Sequence, residues 1–160
     1  MSDRARRVSI LGPTRAWAGA DEVALGGRRQ RAVLARLVIA AGDADTCRLL
    51  VSALTPVADH VTVTGMGAVS IGHCSRYLGL AQAGAGDLDA AEATLAQAAE
   101  QAGAAGFAPW RARALADWAT VLDERGGPGD AALAAQLRAE AEDLAADLGI
   151  ALGPRSAAPS

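Results

Sequence analysis

Residues 74–106, CSRYLGLAQAGAGDLDAAEATLAQAAEQAGAAG, decide the fold. Gly86 and Asp87 divide the stretch into two apolar-periodic segments, and Asp87 is placed to cap the second by accepting a hydrogen bond from an orphan backbone N–H. In that second segment Leu88, Ala91, Leu95, Ala98 and Ala102 recur three or four positions apart, so one helix face carries them all. Small residues at Gly79, Ala91 and Ala98 let two helix backbones approach closely, and Leu78 and Leu95 fill the space around that approach. Gly103 and Gly106 stop the second helix, since glycine adopts the left-handed conformation that closes a helix.

A second helix pair occupies APWRARALADWATVLDERG and GDAALAAQLRAEAEDLAADLG. Trp110, Ala114, Trp118, Val121 and Leu122 share one side of its first helix, leaving Arg111, Arg113, Asp117 and Glu124 for water. In its second helix Leu133, Leu137, Ala141, Leu144 and Leu148 form a stripe, interrupted by Arg138 where the first pair has Leu95. Gly126, Gly127, Pro128 and Gly129 make the turn, with Asp130 placed to cap the second helix of this pair. The spacing of Leu78, Gly79, Ala91, Leu95 and Ala98 resembles the tetratricopeptide repeat, with Gly103 and Gly106 in place of the repeat's closing proline. The resemblance implies a mainly α fold of tetratricopeptide-like antiparallel helical hairpins over residues 72–150, the second hairpin being a degenerate, terminal copy.

Composition bounds what surrounds these helices. At 160 residues the chain holds one modest domain with an appendage. All 15 basic residues are arginine, against 18 acidic ones. Eight of the arginines fall within residues 1–42 beside Asp3, Asp21 and Glu22, which gives that head +5 and leaves −8 of the formal charge of −3 for the rest. A basic head on an acidic body faces two different surroundings. Cys47 and Cys74 without a secretory signal point to a reducing cytoplasm, and no apolar run reaches the roughly 20 residues that a membrane span needs.

The head reads as three short strands, Val8–Leu11, Arg15–Ala18 and Glu22–Leu25, followed by a helix over Arg28–Ala41 with Val33, Leu34, Leu37, Val38 and Ala41 on its apolar side. Ile10, Leu11, Gly12, Pro13, Val23, Leu25, Gly26 and the run Arg28, Arg29, Gln30, Arg31, Ala32, Val33, Leu34 resemble the start of the DNA-binding domain of SARP-type regulators. That family has an OmpR-like winged-helix fold opening on a small antiparallel sheet. The resemblance ends after Gly42, where the family's recognition helix and wing are expected but not evident. Residues 43–150 resemble instead the tetratricopeptide region that ends large ATPase-containing bacterial regulators of the LuxR and SARP types. The expected organisation is thus a truncated winged-helix-like segment with a three-stranded β element (1–42), a connecting helix at Asp43–Leu54 with an extended segment at Val61–Thr64 and a loop at Gly65–Gly72 (43–71), the helical domain (72–150) and a disordered tail (151–160).

Candidate chemistry is sparse. Arg28, Arg29, Arg31 and Arg36 suit phosphate oxygens, since guanidinium binds them through paired hydrogen bonds. Without a base-reading helix they imply only weak, salt-sensitive DNA contact. Gly65, Gly67 and Gly72 lack the Gly-Lys-Ser/Thr ending of a phosphate loop in a chain without lysine, so no cofactor is expected. The soft ligands Cys47, His60, His73 and Cys74 lack the paired spacing of a zinc site, and no metal is expected. Ser70 and Ser75 near His73 lack the nucleophile-elbow spacing, so the expectation is not an enzyme. Trp110, Trp118 and Arg111 on one helix are the candidate lining of a groove for a protein or peptide partner, with core packing as the competing role for the tryptophans. Two hairpins fall short of the three or more repeats that such stacks need, which favours a homo-oligomer or the packing of Asp43–Leu54 as an extra helix. The functional expectation is a protein-interaction module derived from a bacterial transcription regulator; the alternatives are a DNA-binding SARP-like activator and a nonfunctional remnant.

Overall fold

The computed structural model describes residues 6–9, 15–18, 21–23, 43–64 and 69–152. It is mainly helical. Five α-helices occur among the described residues: α1 (Ala44–Leu54), α2 (Cys74–Gly84), α3 (Leu88–Ala104), α4 (Ala108–Arg125) and α5 (Asp130–Asp147). Each packs chiefly on its neighbours in the chain, α1 on α2, α2 on α3, α3 on α4 and α4 on α5. The short connections between α2 and α5 leave no room for another order, because a three- or four-residue turn returns the chain along the helix it has just left.

Three strands precede the helices, β1 (Arg6–Ser9), β2 (Arg15–Ala18) and β3 (Asp21–Val23), paired antiparallel in the order β1-β2-β3. The first begins two residues earlier, and the third one residue earlier, than the sequence pattern suggests. The helix expected over Arg28–Ala41 lies outside the described residues, as does the tail beyond Leu152. The expected loop at Gly65–Gly72 needs correction. Val69–His73 forms a strand, β5, that pairs antiparallel with β4 (Val61–Thr64) through a register shift between Val61 and Val63. Three glycines across Gly65–Gly72 masked the strand signal of Val69 and Ile71, because glycine weakens a strand pattern wherever it falls.

The core is built from small residues. Ala91 and Leu95 of α3 with Val121 of α4 form one cluster; Ala98, Ala99, Ala114, Leu115, Ala119, Leu122, Ala134, Leu137 and Ala141 form the other. Leu95 and Leu122 are among the largest side chains wholly removed from water, each worth roughly 1.5–3 kcal/mol on burial. The alanines contribute little area themselves but bring backbones near enough for those leucines to interlock. Gly79 carries the tightest approach, since a Cβ there would lie 2.6 Å from Leu95 Cγ and 3.4 Å from the Ala91 carbonyl oxygen.

Capping follows the sequence in part. Asp87 accepts from the Ala90 N–H at 3.2 Å, as its position suggests. Asp130 does not act as an N-cap; Gly129 takes that position, and Asp130 turns back to accept from the Gly127 N–H at 2.8 Å. The α5 stripe also ends early, for Leu148 is left exposed beyond the helix. Leu152, expected in the disordered tail, packs against the larger cluster.

Candidate interaction site

Trp110 enters α4 one turn after Phe107, with Pro109 in the first turn, where its missing N–H costs nothing. Gly72, at φ +92, brings its backbone flat against the indole, and a Cβ on it would meet Trp110 Cδ2 at 3.2 Å. The Arg113 guanidinium covers the same ring at 5.8 Å from its centroid, a distance at which cation–π attraction operates. Trp110 therefore joins the end of β5 to α4. Two turns on, Trp118 packs against both core clusters, and its Nε1 is buried with no hydrogen-bond partner.

Arg111 holds a different neighbour. Its stem runs beside Gly103 of α3, where an added Cβ would lie 3.4 Å from Cδ, and its guanidinium pairs with Glu140 of α5. Both charged groups remain about two-fifths exposed, at 41% and 43%, so the pair is open to exchange with an outside charge. Of the three residues expected to line a groove, all are half-buried: the tryptophans pack on Gly72 and on the core clusters, and Arg111 keeps about two-fifths of its side chain exposed, at 41%. Arg28, Arg29, Arg31 and Arg36 lie outside the described residues.

A polar network crosses the same end of the helices. Asp59 accepts from Gln101 Nε2 at 3.0 Å and from Gln97 Nε2 at 3.3 Å, and Gln101 Oε1 accepts the Ser75 hydroxyl at 2.7 Å. Arg76 donates through Nε to Asp117 at 2.6 Å, with only 9% of the Arg76 side chain and 24% of that of Asp117 exposed. Asp117 is therefore not left for water, as the helical pattern suggests. Its partner lies 41 positions away, and no local periodicity reveals a contact of that span. His73 is buried at the start of α2, its ring 6.2 Å from that of Phe107, and its Nδ1 has no partner. Ser75 gives its hydroxyl proton to Gln101.

Arg125 gathers three carboxylates at the opposite helix ends. Its Nη1 reaches Asp89 at 2.9 Å and also Glu92, while Nε and Nη2 grip Asp130 at 2.9 and 2.8 Å. The Arg125 guanidinium, helped by the Gly127 N–H, holds the Asp130 carboxyl below the usual carboxylate range. Burial, and behind it the Asp43 charge, pushes the Cys47 thiol up, which suits an inert core cysteine. Among the described residues no group of three or more histidine, cysteine or carboxylate side chains is arranged to hold a metal, and no helix is long and apolar enough to cross a membrane.

No family model, curated protein or solved structure matches this chain.

Proposed function

We propose that the chain is a protein-interaction module, derived from a bacterial transcription regulator, whose tetratricopeptide-like helical hairpins present a docking face to a peptide or protein. The observation that carries this reading is the seating of Gly79 against Leu95 between α2 and α3, the close approach that closes the first hairpin, with α3 packed in turn on α4 of the second as in a stack of such hairpins. Residues 43–152 hold 15 acidic residues and 6 arginines. Arg48, Arg76, Arg111, Arg125 and Arg138 are each engaged by a carboxylate, so the exterior is acidic and favours a basic partner. Arg111 and Glu140 mark the point where such a partner would exchange charges, with Trp110 alongside.

The test is display selection of random peptides against the intact chain. Enrichment of a common basic motif, with binding lost at least tenfold in Glu140→Arg while the melting curve holds, supports the reading; absence of any enriched motif overturns it. A second reading, a DNA-binding activator, draws on the arginine-rich head and on the β4–β5 hairpin that comes after α1. Gel-shift titration against salt separates the two, since preference for one duplex over others at about 0.15 M salt belongs to the activator alone.

A further inference from the structure

We infer that the outer edge of β4 is a self-association site, at which two copies of this chain pair β4 with β4 to make a four-stranded antiparallel sheet. Among the described residues β4 and β5 form a sheet of two strands only, and a lone two-stranded ribbon is marginal in water. β5 is supported on one side of the ribbon, for it packs against α2 and α3. β4 is bonded to β5 along one edge, and its other edge carries the row of N–H and C=O groups that every terminal strand presents.

What makes this edge unusual is that its own sequence offers no protection against another strand. Between Asp59 and Arg76 the chain contains no Asp, Glu, Arg, Lys or Pro, which are the residues that commonly keep sheet edges apart. The strand itself reads Val-Thr-Val-Thr, entirely of β-branched residues that favour extended backbone. Val61, where the edge begins, is 38% exposed.

The occupant is set by the same sequence. A two-fold antiparallel pairing of two copies of Val61–Thr64 centred on Thr62 sets Thr62 opposite Thr62 and Val61 opposite Val63, with no like charges facing each other. A two-fold pairing of this kind consumes the β4 edge of both copies and stops at a dimer. Four residues a side make a small seam, so the dimer is expected to be weak, with a dissociation constant of about 1–100 µM.

Sedimentation velocity of the full chain from about 1 to about 200 µM reads the association directly. Hydrogen exchange at both ends of that range locates it. The expected result is a reversible dimer in which the amides of residues 61–64 gain protection as concentration rises. Thr62→Lys should weaken association at least tenfold by setting two cations across the two-fold axis, while the helical melting curve is unchanged. A chain that stays monomeric throughout overturns the inference, as does a dimer whose β4 amides exchange at the same rate at both concentrations. Should Thr62→Lys unfold, the exchange result on the unmodified chain decides.

Discussion

Replacing Gly79 by alanine sets two effects of opposite sign against each other. Inside an exposed helix the change stabilises by about 1 kcal/mol, because glycine loses more backbone freedom than alanine on becoming helical. Here the new Cβ would sit 2.6 Å from Leu95 Cγ and 3.0 Å from Leu95 Cδ2. The obstructing atom is the branch point of a side chain with no solvent exposure, so it cannot swing aside as a flexible tip would. Overpacking of this kind costs about 1–3 kcal/mol. The expected net loss is about 1 kcal/mol, a fall in Tm of roughly 4–8 °C for a domain near this size. Urea unfolding followed by circular dichroism measures it, and a double-mutant cycle isolates its cause. In a Leu95→Ala background, itself lower by about 2–5 kcal/mol, the clash is gone and Gly79→Ala should become neutral or stabilising, giving a coupling energy of about 1–2 kcal/mol. If Gly79→Ala stabilises the unmodified protein, or loses as much in the Leu95→Ala background as it does with Leu95 in place, the close approach of α2 and α3 is not what that glycine serves.

Arg76→Met leaves Asp117 without its principal cation in a mostly dry site and should cost about 2–3 kcal/mol by chemical denaturation, less than a fully enclosed pair because Asp117 keeps some water; a loss below about 0.5 kcal/mol would mark the pair as an ordinary surface contact. Asp130 has its carboxyl lowered by Arg125, so its contribution is present above the ordinary carboxylate pKa of about 4 and disappears as pH falls through the lowered value. The Tm of Asp130→Asn should accordingly lie below that of the unmodified chain at neutral pH, with the gap closing in acid; a gap that is constant with pH refutes the ion pair as its source. Cys47, buried and with its thiol raised, should react with a thiol reagent only on unfolding, whereas the half-buried Cys74 should react in the folded state; equal rates for both would show that α1 does not hold its place on α2.

The helical part of the fold was legible because its signals are local. Asp87 before an apolar run, the Leu88–Ala102 spacing and the left-handed Gly106 each constrain a few neighbouring residues, and α3 begins and ends near where they place it, although it runs through Gly103 instead of stopping there. α1 was equally readable from Asp43 to Leu54. The features that escaped are decided by distant partners or by competing local cues. Asp117 looks solvated on a helical wheel and is claimed by Arg76 from another helix. Asp130 has an N-cap's sequence context, but Arg125 offers it a stronger, charged donor than the backbone does. β5 was hidden by its glycines. The tryptophans were legible as a helical pair, but whether they face a partner or the protein's own interior depends on Gly72 and on two helices whose positions no spacing rule supplies.

The grip of Arg125 has a mechanical consequence. It sits at the last residue of α4 and holds Asp130 in the first turn of α5 as well as Asp89 and Glu92 near the start of α3. The covalent link through Gly126–Gly129 is therefore not the sole tether between α4 and α5, and a peptide-bond cut in that turn would leave both new ends pinned to the same guanidinium. Loss of that one side chain would release three helix ends together, so this edge of the molecule is built to hold or to open as a unit.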